Sequence, residues 1–297
     1  MISHQALVAA LGADARKALT RRSNWLGLRQ LAGHWGAILL CGTLIAMKVP
    51  FWPVLLPVQG ILIVFCFTAL HETIHKTAFA SERLNDLVAW TCGFLIALPP
   101  RWFRYFHFAH HRFTNDPTRD PELAAPKPET LSQYLVHLSG IAVWRFHLRT
   151  LIHNSAGRAD DTFLPAKGRA KVTRETRLFL LLYALLTVGS LALGSALLLW
   201  VWLLPALLGQ PFLRAYLLAE HGGCPQVANM LVNSRTTLTN RLVRFLAWNM
   251  PFHAEHHAYP AVPFHKLPQF HAHTRDHLGT LEPGYLAFHR KTLSALT

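Results

Sequence analysis

Eight histidines lie in three short clusters with the spacing of metal ligands. The clusters read His71-Glu-Thr-Ile-His75, His107-Phe-Ala-His110-His111 and His253-Ala-Glu-His256-His257. In a helix, the three histidines of the last cluster share one face about 100° wide. Neutral imidazole binds iron, zinc, copper and nickel, so the ligand type alone leaves the metal open. Three separate clusters with this spacing are not expected by chance, and we interpret all eight histidines as metal ligands.

The number of ligands narrows the choice of metal. Zinc in proteins typically takes four ligands, whereas eight or nine nitrogens can supply two ions of higher coordination number and leave room for dioxygen. The set therefore predicts a two-metal site, with two irons as the metals. Electrons delivered to such a pair could activate dioxygen for attack on an unactivated C–H bond. Zinc has no redox chemistry and could not do this.

The composition indicates a membrane protein. Of 297 residues, 52% are hydrophobic and 15% are charged, and the mean hydropathy is +0.23. The formal net charge of +14 comes from 29 Lys and Arg against 15 Asp and Glu. A basic chain can bind nucleic acid, but the long apolar runs favour anionic lipid and acidic redox proteins as partners, and we expect no nucleic acid.

Two long apolar regions must position the clusters. Residues 31–70 and 178–219 are each long enough for two membrane spans, so we predict two transmembrane hairpins. The second helix of the first hairpin would continue out of the membrane as His71 to His75. Residues 1–30 are predicted to be a cytoplasmic lead-in, and residues 71–177 and 220–297 a cytoplasmic cap. The prediction is one all-α domain over residues 1–297, with four spans and a di-metal site in the cap.

Charge and turn residues give the orientation and the remaining elements. Lys and Arg are concentrated outside the predicted external turns, which places the termini and the metal site of this multi-pass integral membrane protein in the cytoplasm. Residues 84–98 and 131–153 predict helices at the membrane interface, and residues 157–177 a polar connection. Pro251 and Pro260 are expected to mark the beginning and the end of the third-cluster helix.

The three clusters resemble those of the membrane fatty acid desaturase and hydroxylase superfamily. That family has one HxxxH-type box and two HxxHH-type boxes, with a pair of spans before the third box. The resemblance extends from about Trp35 to His277 and includes the residues around the third box, 248–263. It implies that the eight box histidines bind iron. It also implies a ninth ligand just after the fourth span, where His221 stands in Ala219-Glu220-His221-Gly222-Gly223.

Several polar residues could orient the imidazoles by accepting their free N–H groups, as carboxylates commonly do beside metal ligands. The candidates are Glu72, Asp116, Asp120, Asn249 and Glu255. Turn formation beside proline is an equal alternative for Asp116 and Asp120. The other histidines are interpreted without metal: His34, His137, His147 and His153 as hydrogen-bonded structure, and His265, His271, His273, His277 and His289 as part of a basic surface.

The predicted function is that of a dioxygen-dependent oxidoreductase that desaturates a fatty acyl chain of a lipid, with no catalytic residues beyond the metal ligands. A hydroxylase or ketolase of a fatty acyl or carotenoid-type lipid is the alternative, since the same boxes serve both reactions. A remote alternative is an intramembrane zinc protease, because His71-Glu72-Thr-Ile-His75 also matches HExxH. That reading leaves the other six box histidines unexplained. A metal transporter is disfavoured because the spans carry almost no charge.

The chain is expected to receive its electrons from a separate protein. It has no haem-binding Cys-x-x-Cys-His motif, no GxGxxG nucleotide loop, and four cysteines, at positions 41, 66, 92 and 224, with no Cys-x-x-Cys pair. A separate ferredoxin or cytochrome-type donor with its reductase is therefore implied.

Overall fold

The computed structural model describes residues 2–296, and within them the fold is almost entirely helical. The helices are α1 (His4–Ala10), α2 (Ala13–Leu19), α3 (Asn24–Ala46), α4 (Leu55–Val64), α5 (Cys66–Ile74), α6 (Glu82–Leu95), α7 (Pro100–Phe113), α8 (Leu131–Ser139), α9 (Ile141–Ser155), α10 (Ala166–Ala192), α11 (Leu204–His221), α12 (Met230–Asn233), α13 (Arg241–Leu246), α14 (His253–Ala258), α15 (Leu267–Thr274) and α16 (Tyr285–Ala295). Short 3₁₀ turns lie at Trp52–Val54, Pro121–Ala124, Phe264–Lys266 and Arg275–His277, and a π-helical turn at Leu199–Leu203 precedes α11. Two short strands, β1 (Thr236–Thr237) and β2 (Leu281–Glu282), pair in parallel.

Three helical stretches are long and apolar enough to cross a membrane: Trp52–Ile74, Ala166–Ala192 and Leu199–His221. They agree with three of the four predicted spans, and the first of them continues through the first histidine box as expected. Helix α3, Asn24–Ala46, lies at the position of the fourth predicted span. It is 23 residues long but is not among the three stretches that meet the hydropathy requirement.

Two sequence-based boundaries were wrong. The predicted polar connection at 157–177 ends early, because α10 begins at Ala166; alanine, lysine and arginine are strong helix formers and continue the helix beyond its apolar part. The predicted single helix over 131–153 is two helices separated by Gly140. Gly140 has φ +70°, a left-handed conformation that ends a helix and that glycine adopts without steric cost.

Helix α4, which leads into the His71-bearing helix α5, crosses helix α11, which ends at His221, with the two backbones in contact. A Cβ atom at Gly60 of α4 would lie 2.1 Å from the carbonyl oxygen of Pro205, and one at Gly209 of α11 would lie 2.3 Å from the carbonyl oxygen of Gly60. Only glycine at both positions allows this close approach, which is the usual role of small residues between membrane helices. The crossing sets the mutual position of α5 and the end of α11.

Large apolar side chains cover the outside of the molecule where lipid is expected. On α10 these are Leu181, Leu185, Val188 and Leu191, and on α8 and α9 they include Leu135, Ile141 and Ile152, all exposed. Exposed apolar surface of this extent is unfavourable in water and favourable in a bilayer. It is consistent with the predicted interfacial position of residues 131–153.

Helix α7, which carries the second box, is held at its first turn by two partly buried hydrogen bonds. The backbone N–H of Arg101 donates to Glu175 Oε2 at 2.8 Å, and Trp102 Nε1 donates to Asp161 Oδ2 at 2.8 Å. Because a helix has unpaired N–H groups at its beginning, the Glu175 carboxylate both satisfies one of them and interacts favourably with the helix dipole. The second box is thereby fixed relative to α10.

Candidate metal centre

The box histidines converge in the structure. Two groups have side-chain nitrogens that lie within 4.8 Å of one another: a five-histidine group (His71, His75, His107, His111 and His256) and a three-histidine group (His110, His221 and His257). Each group draws on three separate parts of the chain. The second and third boxes each contribute to both groups, so the two groups adjoin.

His253 completes the cluster. Its Nε2 atom lies 2.9 Å from Nε2 of His221, and its ring centroid lies 4.5 Å from that of His257. The nine histidines predicted as ligands therefore all lie together. Nε2 atoms also face one another at 3.0 Å (His75 and His107), 3.2 Å (His110 and His221) and 3.1 Å (His111 and His256).

Short, tightly packed elements present the rings. Helix α14 has six residues and every one of them is buried. An isolated bridge between Phe252 and Thr236 fixes its beginning, and the helix ends at Ala258, just before Pro260, as predicted. A helix this short is not stable by itself, so its conformation depends on its contacts. The helical conformation of the residues between Pro251 and Pro260 is therefore stabilised by their packing in the protein interior.

Burial determines the protonation of the rings outside the apolar helices. It lowers the pKa of His75, His107, His111, His253, His256 and His257 well below the usual value, and nearby imidazoles lower it further. His110 is the exception: burial alone would lower its pKa, but the Glu122 and Asp120 carboxylates together raise it. Neutral imidazoles have a lone pair available for a metal, so burial favours metal binding over protonation.

The donor set fits metal ions. Buried ring nitrogens without a hydrogen-bond partner among residues 2–296 occur on six of the nine rings: His71, His107, His111, His253, His256 and His257. An unpartnered buried polar atom is costly and requires an explanation. Metal coordination would supply partners for the Nε2 atoms of His71 and His257, and the eight imidazoles of the two groups, with His253 beside them, could hold two ions with nitrogen-rich ligation.

Protein groups orient the rings of the three-histidine group. The Nδ1 atom of His110 lies 2.9 Å from Asp120 Oδ1, that of His221 lies 3.2 Å from the Asn233 carbonyl oxygen, and that of His257 lies 3.2 Å from Thr114 Oγ1. His253 differs, since its Nδ1 atom lies 3.4 Å from Glu220 Oε1 but forms no hydrogen bond to it. Partners on Nδ1 direct each Nε2 atom towards the interior of the cluster.

Of the five residues predicted to contact ligand rings, the structure places only Asp120 against one. Glu72 accepts from the Phe264 backbone N–H, and Glu255 contacts His271, Thr236 and Thr274. Asp116 contacts Thr118 and Arg119, which is the turn-forming alternative. Asn249 contacts Arg244 and the Phe264 carbonyl. These four carboxylate and amide side chains link other segments of the chain and form no hydrogen bond to a box imidazole within residues 2–296.

Sequence reasoning missed several groups that contact the rings. Glu220 precedes His221 directly, and Thr114 follows His110 by four residues, one helical turn, so both had a local signal. Asn233 had none, since only the fold brings it to His221. His34 is hydrogen-bonded structure as predicted, with Nε2 2.8 Å from the Leu62 carbonyl oxygen. The surface prediction for His271 and His289 was wrong, because His271 contacts buried Glu255 and His289 contacts Tyr134 and the Ala215 carbonyl.

A cleft of about 640 Å³ reaches the cluster from outside. His111 and His257, one ring from each group, line it together with Arg16 and Arg112. One wall is α1, which packs against α14, and His4 of α1 accepts from the Met230 backbone N–H. The lead-in is therefore part of the centre's enclosure, whereas the sequence predicted only a surface segment.

Comparisons with known proteins all find similarity to desaturases. A family model described as fatty acid desaturase matches residues 50–291. The chain is similar to the sphingolipid delta(4)-desaturase of Komagataella phaffii, with 25% identity over 216 residues, 68% of this chain and 56% of that protein. It is also similar to the dihydrorhizobitoxine desaturase of Bradyrhizobium elkanii, with 25% identity over 287 residues, 89% of this chain and 78% of that protein. A delta(12) fatty acid desaturase of Mortierella isabellina is 30% identical over 82 residues, 28% of this chain and 20% of that protein.

Proposed function

Because the chain belongs to the fatty acid desaturase family, we propose that it is a dioxygen-dependent, di-iron membrane enzyme that desaturates a fatty acyl chain of a lipid. The observation that carries the proposal is the gathering of nine imidazoles, eight in two adjoining groups and His253 beside them, at a largely buried place in the fold. Two irons held there would supply the redox chemistry needed to remove hydrogen from an unactivated C–H bond. The residues of the chain orient the rings, and burial favours the neutral form of most of them.

We further propose the membrane arrangement predicted from the sequence. Helix α3 would be the fourth span, beside the three stretches that meet the length and hydropathy requirements. Residues 71–177 and 220–297 would form the cap on the cytoplasmic side, with both termini, since most Lys and Arg lie in these segments and in residues 1–30. The whole chain would act as one domain.

A lipid acyl chain is the proposed substrate class. Two of the relatives are named for sphingolipid and fatty acid substrates, and apolar side chains cover the face of α10 and of the interfacial helices. The chain spans 56% of the sphingolipid desaturase, so the substrate is proposed from the site and the exposed apolar surface as well as from the names.

A separate electron donor would dock over the cleft. The cleft contains one ring from each histidine group and two arginines, and the chain as a whole carries a formal charge of +14. A basic surface attracts an acidic protein by long-range electrostatics. An acidic ferredoxin or cytochrome-type donor docked there, itself reduced by a reductase, would lie close to both groups.

The alternatives predict different products or metals. A hydroxylase or ketolase of an acyl or carotenoid-type lipid would use the same histidines, but the names of the relatives favour desaturation. The zinc protease is not supported. Glu72, which would be its general base, is bonded to the Phe264 backbone, and His71 and His75 belong to a larger group with three further histidines.

The test is expression of the chain with a donor and reductase, followed by mass spectrometry of the extracted lipids. We expect a lipid that has lost two hydrogens, absent with the His110→Ala variant and present with His153→Ala, which changes an exposed histidine of α9. A gain of one oxygen would establish the hydroxylase instead. Identical lipids in the presence and absence of the enzyme would refute the lipid substrate.

A further inference from the structure

A line of polar side chains runs along α11 from the metal centre. Gln210, Arg214 and His221 are separated by four and seven residues, which places them on one face of the helix within about 40° of rotation. Arg214 is therefore about 10 Å along the helix axis from His221. It lies inside Leu199–His221, a stretch apolar enough to span a membrane. An ionisable residue in such a stretch is costly to retain and usually has a functional role.

Two of the side chains in this line, Gln210 and Arg214, have polar atoms without partners. The Nε atom of Arg214 is shielded from solvent and has no hydrogen bond, and among residues 2–296 its guanidinium forms no ion pair. Gln210 is 1% exposed, and its Oε1 atom is also unpartnered. The charges that act on Arg214 are those of Glu220 and Glu122, but neither carboxylate is hydrogen-bonded to it.

The corner between α8 and α9 faces this line and adds one further unpartnered group. A Cβ atom at Gly140 would lie 2.5 Å from the Cβ atom of Gln210, so the corner packs directly on α11. Trp144, four residues after Gly140, has a buried ring nitrogen, Nε1, without a hydrogen bond. His137, three residues before Gly140, lies beside Arg214: burial and then the charge of Arg214 lower the pKa of His137, and a hydrogen bond to the Arg214 backbone raises it.

We propose that Trp144, Gln210 and Arg214, here called the α9–α11 polar site, bind a carboxylate-type anionic group of the substrate that also carries a hydroxyl or amine. The guanidinium is a planar donor suited to a carboxylate, and the Trp144 N–H is a second donor. Gln210 Oε1 is an acceptor and requires a donor on the ligand. This inference rests on the proposed desaturase function and narrows its substrate to an amphiphile with such a polar group, held about 10 Å along α11 from His221.

Binding of six-carbon probes to the full-length protein in detergent, followed by calorimetry, tests the site. The probes are hexanoate, hexan-1-ol and 2-hydroxyhexanoate. We expect hexanoate to bind at least about tenfold more tightly than hexan-1-ol, because a charged hydrogen bond is the stronger one, and 2-hydroxyhexanoate more tightly still. Arg214→Gln should abolish the preference for the acid, and Gln210→Leu should remove only the gain from the hydroxyl group. Arg149→Gln, at an exposed position of α9, is the matched control and should keep both.

Equal binding of hexanoate and hexan-1-ol by the unchanged protein would overturn the site, as would an acid preference that persists in Arg214→Gln. In that case Arg214 would serve as an internal counter-charge to Glu122 and Glu220. If Arg214→Gln does not fold, the Arg214→Lys variant is used instead. Lysine keeps the positive charge but lacks the paired N–H donors of the guanidinium, so it should retain a weaker preference for the acid. The lipid assay is independent: desaturated lipid without an acid preference refutes this site alone, and an acid preference without any desaturated product refutes the desaturase proposal alone.

Discussion

The two histidine groups differ in the hydrogen bonds that orient their rings, and also in burial: His75 and His111 of the five-histidine group are half-buried, whereas the three-histidine group is wholly buried. In the three-histidine group, each ring has an Nδ1 partner: Asp120 for His110, the Asn233 carbonyl for His221 and Thr114 for His257. In the five-histidine group, the Nδ1 atoms of His107, His111 and His256 and both nitrogens of His71 have no partner among residues 2–296. Those rings contact chiefly one another.

This difference indicates how each group would hold a metal. Hydrogen bonds from outside the ligand set fix a ring's tautomer and orientation and raise metal affinity. The three rings of the three-histidine group are oriented by hydrogen bonds from the protein, whereas the five-histidine group would depend on the metal for its geometry. We therefore expect the metal held by the three-histidine group to bind more tightly and to be removed later by a chelator.

Removal of one ligand from each group should have the largest effect. His107→Ala in the five-histidine group and His257→Ala in the three-histidine group should each lower turnover by more than about a hundredfold, beyond the loss typical of a group that only orients a ligand. Desaturated lipid is the measurement, and His153→Ala is the control. If either alanine variant kept full turnover, its group would not belong to the catalytic centre.

Loss of the Asp120 carboxylate should lower metal affinity at one histidine group and not at the other. Asp120→Ala removes the partner of His110, and we expect metal affinity at the three-histidine group to fall by about 10- to 100-fold, with the five-histidine group little changed. Chelator titration monitored by metal analysis measures this. Asp116→Ala changes a carboxylate of the same loop that contacts Thr118 and Arg119 instead of a ring, and it should behave as the unchanged protein. Equal losses in the two variants would refute the role of Asp120.

Glu220→Gln should produce a smaller loss. The Glu220 carboxylate lies 3.4 Å from His253 Nδ1, which is longer than a good hydrogen bond, and glutamine keeps the shape of the side chain. We expect a decrease in metal affinity of about three- to tenfold, below the range given for Asp120. A loss as large as that of Asp120→Ala would show that the contact shortens when metal is bound.

The smallest effect is expected from the charges at the cleft. A change there should lower turnover and leave metal binding at both histidine groups unchanged. Turnover with an acidic ferredoxin should decrease as ionic strength rises, because salt screens the attraction between exposed charges. Arg112→Gln should lower turnover several-fold at low salt without changing the metal content of either group. Arg158→Gln, an exposed arginine outside the cleft, is the control. Turnover that does not depend on salt would exclude electrostatic docking.

The sequence predicted the histidine ligands better than it predicted the residues that contact and orient them. Ligand spacing located eight histidines, and His221 followed from a family resemblance, because these signals are local. Partners such as Asn233 come from distant segments and leave no mark in the spacing. Asp116 and Glu255 showed the opposite error: both lie near a ring in sequence, but their carboxylates contact other residues. The packing of α1 against α14 likewise depends on tertiary contacts that periodicity does not reveal.

The central proposal is that nine imidazoles hold a pair of irons, and metal analysis of the purified full-length protein tests it most directly. We predict about two irons per chain, with one iron removed by a chelator before the other because the two groups are supported differently. The His257→Ala variant should hold less iron than the unchanged protein. About one zinc per chain, with no iron, would contradict the proposal.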